Sequence, residues 1–211
     1  MKFPPGGPLA LGIWMAAVAP SVAGLCFVPA ESERWAFELG VAFITANSNT
    51  EIVLGQVNIP DDPAGGKIYS LTASRLLGEL EWRAWDRVFR PTVELPLTLE
   101  VVDENARSPF PDYNASILVR WVDFPWQDQV RTTVGMGIGL SYSSKIYAMD
   151  KKRHPGEDRS HLKLNWPIQM TLAFPQWPEH QLLLFFVHQS GGHIFDQGGV
   201  NSLGLGYRYG F

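Results

Sequence analysis

The chain has 211 residues, 45% hydrophobic and only 18% charged, with a formal charge of -4 and a mean hydropathy of -0.04. That is one domain of ordinary size, and beyond the first thirty residues no apolar run is long enough for a spanning helix, which excludes a helical membrane bundle. The absence of a basic block removes any electrostatic reason to expect a nucleic-acid partner, and 12% aromatic residues exclude intrinsic disorder.

Lys2 precedes an apolar stretch from Leu9 to Ala19, closed by Pro20 and the small-residue run Ser21, Val22, Ala23. This order reads as a secretory signal peptide over residues 1–23, with a single mature domain over 24–211. The alternative is an uncleaved N-terminal anchor, against which the shortness of the stretch and its closing Pro argue. Cys26 is the only cysteine, so no intrachain disulfide and no cysteine-based zinc site can form. Leu25 before it is not the small residue that lipidation wants.

In the mature chain the periodicity is two almost throughout, the period of strands with two different faces. Trp35 to Thr45 and Lys67 to Leu77 are the first candidates; in the second, Arg75 falls on the face of Leu71 and Leu77, so the strand ends early or a bulge switches its parity. From Val88 to Val101, Phe89, Val93, Leu95, Leu97, Leu99 and Val101 alternate with Arg90, Thr92, Glu94, Thr98 and Glu100. Tyr113 to Phe124 follows, then Val130 to Ser143, where Val134, Met136, Ile138, Leu140 and Tyr142 oppose Thr133, Gly135, Gly137, Gly139 and Ser141. His161 to Phe174, Gln181 to Ser190 and the last ten residues, with Leu203, Leu205, Tyr207, Tyr209 and Phe211 on one face, complete eight strands.

Eight is the smallest usual barrel. Long connections (Ala46 to Gly66, Val102 to Asp112, Ser144 to Ser160, Gly191 to Val200) alternate with short ones such as Pro125 to Asp128 and Pro175 to His180, the loop asymmetry of an outer-membrane barrel. A soluble, lipocalin-like barrel alternates equally well with its apolar face inside. Three features favour the membrane form. The polar face is rich in Gly and isolated Arg and Glu, as a packed lumen requires; Trp35, Trp82, Trp85, Trp126 and Trp177 all fall at the end where the chain begins, as an aromatic girdle does; and the last strand ends on Phe211. The expected fold is therefore an all-β, eight-stranded antiparallel transmembrane barrel of a bacterial outer membrane.

Four of the five histidines sit in loops, a turn or at a strand opening. His188 instead shares a face with Leu182, Leu184, Phe186 and Ser190, so a base and a hydroxyl are side-chain neighbours on one strand. Antiparallel return through the 191 to 200 loop brings Asn201 alongside them, and Asn201 has the parity of Leu203 and Tyr207, the lipid face. A structural reading of His188 and Ser190 is that they are polar residues where a strand leaves the bilayer.

The His-x-Ser at His188 and Ser190 ending the penultimate strand, the Gly-rich loop after it and the terminal strand to Phe211 resemble the PagL-type lipid A 3-O-deacylases of Gram-negative outer membranes. The likeness covers the last 24 residues well and the eight-strand plan more loosely. It implies Ser190 as nucleophile, His188 as general base and the amides of Gly191 and Gly192 as oxyanion donors. It also implies lipid A as the substrate, through an ester-linked 3-hydroxyacyl chain, with no metal and no cofactor. The chain departs from the family in carrying Asn201 where an acidic residue orients the histidine, and Gly191 where Asn is usual. An amide can hold an imidazole but cannot stabilise the imidazolium as a carboxylate does, and Asp196 is the alternative acid. The rival expectation is a noncatalytic barrel of the same plan, whose charged loop Asp150 to Arg159 binds lipopolysaccharide phosphates or a surface partner.

Overall fold

The computed structural model describes residues 23–84, 87–153 and 155–211. The expected signal peptide, apart from Ala23, lies outside the described residues, as do Trp85 and His154. Ten strands alternate with two short helices: β1 (Ala23–Pro29), β2 (Trp35–Thr45), α1 (Asn49–Val53), β3 (Gly66–Ala84), β4 (Arg87–Phe89), β5 (Thr92–Glu104), β6 (Phe110–Trp121), β7 (Arg131–Ser143), α2 (Ala148–Arg153), β8 (Leu162–Ala173), β9 (His180–Ser190) and β10 (Gly199–Gly210). Eight of them pair antiparallel in the order β2, β3, β5, β6, β7, β8, β9, β10, and β10 returns to β2 from Asn201 opposite Thr45 to Gly210 opposite Ala36, closing the barrel. Closure leaves these strands no open edge. Among the described residues no helix is long and apolar enough to cross a membrane.

The alternating faces sort as expected. Met136, Ile138, Leu140 and Tyr142 of β7 and Leu205, Tyr207 and Tyr209 of β10 are exposed on the outside. Inside, Arg120 and Arg208 are buried with Glu38 and Glu94. Arg120 Nε lies 2.7 Å and Arg208 Nη2 3.0 Å from Glu94, and Arg208 also pairs with Glu38. Two cations and two anions neutralise one another, and Gln169 joins the network by donating to Glu38 (3.0 Å) and accepting from Arg120 (2.6 Å). Buried charges persist only when paired and hydrogen-bonded in this way.

The lumen is not polar throughout, however. At the end where the long loops lie, Ile44, Ile68, Val102, Phe110, Leu183, Phe185 and Val200 form an apolar plug with Tyr147 and Met149. Leu183 and Phe185 are inward-facing members of the run Leu182 to Val187, which is apolar on both faces and so hides its inner set from an alternation reading. The luminal glycines make room for it: a Cβ on Gly204 would sit 2.5 Å from the Phe185 ring, and one on Gly40 2.8 Å from it.

Two strand ends depart from expectation. β3 runs on to Ala84, beyond the barrel, where it pairs with β1 (Cys26 opposite Glu81) and β4 (Trp82 opposite Phe89). Pro91 separates β4 from β5, since a proline has no N–H for the ladder. The Arg75 conflict is resolved by a register shift between Leu76 and Gly78: Arg75 points outward and pairs with Glu33 at 2.7 Å, and parity switches beyond it. At this terminal end lie Trp35, Trp126 and Trp177, all exposed, and Trp82, whose ring packs at a tilt against Phe89 with centroids 5.4 Å apart.

Candidate active site

β9 carries His188 and Ser190 to the loop end of the barrel on its outward face, both partly exposed. The ladder places Trp166 and Asn201 on either side of His188, and Leu164 and Gly199 on either side of Ser190. His188 Nδ1 lies 2.6 Å from Asn201 Oδ1. Asn201 Nδ2 in turn donates to the Asn47 carbonyl at 2.8 Å. A carbonyl can only accept, so the atom facing Asn47 is the amide nitrogen and the atom facing His188 is the oxygen. In its neutral form the imidazole therefore carries its proton on Nδ1, and Nε2 holds the lone pair.

Although Asn201 shares the parity of the outward face, it is 1% exposed. The start of the β2–β3 connection folds over it: Asn47 also accepts 2.8 Å from Arg153 Nη2, at the end of α2. Ser190 Oγ accepts from the Gly192 amide at 3.1 Å, and among the described residues no hydrogen bond joins it to His188. The Gly191 amide is already engaged, donating to the Gly198 carbonyl at 2.9 Å, which leaves Gly192 as the amide directed at the hydroxyl. Gly192 and His193 both adopt left-handed backbone, with φ of 58° and 59°.

Asp196 does not orient His188. Its carboxylate lies 2.7 Å from Lys163 Nζ and accepts from the amides of Ser160 (2.6 Å) and Gly198 (2.7 Å). Burial pushes this carboxyl up, but the Lys163 hydrogen bond and the two amides outweigh it and hold Asp196 below the ordinary carboxylate range. The same packing explains Gly191: a Cβ there would stand 2.0 Å from Asp196 Oδ1, so the Asn usual in the resembled family does not fit this loop. Asp150 of α2 completes the brace, pairing with Lys163 (2.8 Å) and Arg159 (3.2 Å) and accepting from the Gly199 amide at 3.1 Å. Of the charged Asp150 to Arg159 segment, Asp150 and Arg159 are thus turned inward, while Lys151, Lys152, Glu157 and Asp158 are exposed.

Beside the pair runs an open groove of about 370 Å³, lined by Ser48, Thr50, Arg153, His188, Ser190 and Gly199 among others. Asn47, Thr50 and Arg153 were not singled out from the sequence; the one signal for Arg153 was its place in the charged loop. Among the described residues no group of three metal-ligating side chains occurs.

The outer membrane enzyme PagL has a solved structure that superposes on this chain with a TM-score of 0.51 at 16% identity, covering 84% of this chain and 99% of that one. The chain has the fold of an outer-membrane β-barrel. At that identity it is the fold that is shared. Neisserial surface protein A is also similar, with a TM-score of 0.46 at 15% identity over 86% of this chain and 100% of its own. Compared with protein-family models and with curated protein sequences, the chain matches none.

Proposed function

We propose that this barrel is an outer-membrane serine esterase that removes an ester-linked 3-hydroxyacyl chain from lipid A. In this reading the protein is exported by its signal peptide, the chain termini face the periplasm and the groove beside Ser190 opens at the outer leaflet. The observation that carries it is the Asn201–His188 hydrogen bond of 2.6 Å, which leaves Nε2 unprotonated on the face shared with Ser190. Nε2 takes the proton as Ser190 Oγ attacks the ester carbonyl, and the Gly192 amide stabilises the oxyanion. The imidazolium then protonates the departing sugar alkoxide, and water releases the acyl chain from Ser190 by the same path in reverse.

The amide at position 201 is compatible with this role. An Asn in place of the acid of a triad is ruinous chiefly when it donates to the imidazole and selects the wrong tautomer. Here the Asn47 carbonyl turns the donor end away. What is lost is the charge stabilisation of the imidazolium, which lowers the rate without abolishing the base.

The test is acyl release from lipid A by the detergent-purified barrel and its Ser190→Ala variant, read by mass spectrometry. Wild type should lose one 3-hydroxyacyl group and the variant none. The Ser190 hydroxyl bonded to Gly192 in place of His188 favours a second reading, a noncatalytic barrel with a surface-binding role, and intact lipid A after wild-type treatment would establish it.

A further inference from the structure

The groove beside Ser190 contains a charged side chain that the proposed chemistry leaves unused. Arg153 ends α2, whose Met149 is buried in the luminal plug and whose Asp150 is tied to the Gly199 amide, so its backbone is fixed to the barrel. Its Nη2 donates to the carbonyls of Asn47 at 2.8 Å and Thr45 at 3.3 Å, pinning one corner of the guanidinium to the end of β2. Its Nε and Nη1 have no hydrogen-bond acceptor among the described residues.

Three nearby cations are neutralised, while Lys151, on the same helix, is exposed and forms no ion pair among the described residues. Lys152 pairs with Asp62, Lys163 lies between Asp150 and Asp196, and Arg159 pairs with Asp150 and Glu157. Arg153 forms no ion pair among the described residues; Asp150 and Glu51 act on it only at longer range. A half-buried guanidinium with a free edge, open to a groove, is matched in shape and charge to a phosphate. Ser48 and Thr50 line the same groove; the Ser48 hydroxyl is committed to the Glu51 carboxylate at 2.9 Å, which leaves Thr50 as the polar residue at its lip.

We propose that Arg153 docks the phosphate of a phosphorylated lipid headgroup and thereby brings its ester to Ser190. This rests on the esterase reading above and adds a selectivity to it: the groove prefers an anionic headgroup to the same lipid without its phosphate. Because Arg153 and Asn201 share the Asn47 carbonyl, the docking residue and the residue that orients His188 are braced against one point.

The experiment uses the full chain in detergent micelles, with lipid A and dephosphorylated lipid A as paired substrates. One charge-assisted interaction corresponds to about a tenfold preference, so wild type should favour the phosphorylated lipid by about that factor in kcat/KM, carried by KM. Arg153→Gln should lose the preference, its kcat/KM for the two lipids becoming equal, and Arg153→Lys should restore part of the difference. Full preference retained by Arg153→Gln overturns the proposal. Heat-modifiable gel migration verifies that each variant is folded.

Binding to Ser190→Ala, read by tryptophan fluorescence, separates this inference from the esterase. If wild type cleaves neither lipid but Ser190→Ala binds the phosphorylated one tighter through Arg153, the esterase reading falls and the anion site stands. Cleavage of both lipids at equal kcat/KM does the reverse. Inorganic phosphate that competes with the lipid in wild type but not in Arg153→Gln supports the same chemistry. Inorganic phosphate that binds as tightly as the lipid assigns the site to a free anion and overturns the headgroup assignment.

Discussion

Asn201 meets His188 through its oxygen, Oδ1 to Nδ1 at 2.6 Å, because its nitrogen is committed to the Asn47 carbonyl at 2.8 Å. The orientation of one buried amide thus sets the tautomer of the adjacent imidazole. It also reverses the intuition that an acidic residue at 201 would improve the site.

Asn201→Asp should lower activity. A carboxylate would set an oxygen against the Asn47 carbonyl, and the repulsion and lost hydrogen bond cost about 1–3 kcal/mol, or roughly a tenfold to hundredfold drop in kcat/KM. Steady-state kinetics on lipid A measures it, and a variant faster than wild type would contradict the amide argument.

Ser190→Ala and His188→Gln should each reduce turnover by about a thousandfold or more, since nucleophile and base act as a unit. Both side chains lie on the outer face of a closed barrel, so heat-modifiable migration and circular dichroism should match wild type. Activity that survives in either variant removes the serine–histidine chemistry.

The loop after β9 should loosen in acid. Asp196 is held below the ordinary carboxylate range, so its contribution is fully present above the unfolded value near pH 4 and is lost as pH falls through the lower folded value. Asp196→Asn should remove the Lys163 tether even at neutral pH. Limited proteolysis across the 191 to 198 loop, followed from pH 7 to pH 3, should show cleavage appearing in acid for wild type and at every pH for the variant.

Glu94→Ala should destabilise the barrel by about 3–5 kcal/mol, because it leaves two buried guanidinium groups without their shared partner. Arg120 and Arg208 both bond to this carboxylate, and Ser74 donates to it at 3.0 Å. Urea unfolding in lipid vesicles, with tryptophan fluorescence as the signal, measures the shift in midpoint.

Much of the architecture was legible because alternation is a property of each strand alone. Trp35 to Thr45 is the strand expected, to the residue. The parity conflict at Arg75 anticipated the register shift between Leu76 and Gly78. The pairing of Asn201 with His188 followed from the length of one hairpin loop and is the observed register. β1 escaped notice because it pairs with a continuation of β3 beyond the barrel, and nothing in its own few residues announces a partner; most of β4 falls within the single strand expected over Val88 to Val101, which Pro91 divides without breaking its alternation. The apolar plug escaped because Leu183 and Phe185 sit in a run with no polar face to contrast with.

Local alternation and hairpin closure, then, already specify an eight-stranded barrel with His188 beside Ser190 at one rim, and the Gly-rich polar face, the Trp girdle and the terminal Phe211 point its apolar face outward. They carry no information about which way a carboxamide turns. That depends on Asn47, 154 residues from Asn201 along the chain, and on Arg153 from a third connection, groups brought together only when the barrel closes and its long loops fold over one mouth. Hydrogen bonds at such separation depend on the closed topology and leave no period in the sequence, so the strands could be read from the chain while the state of the histidine had to await the fold.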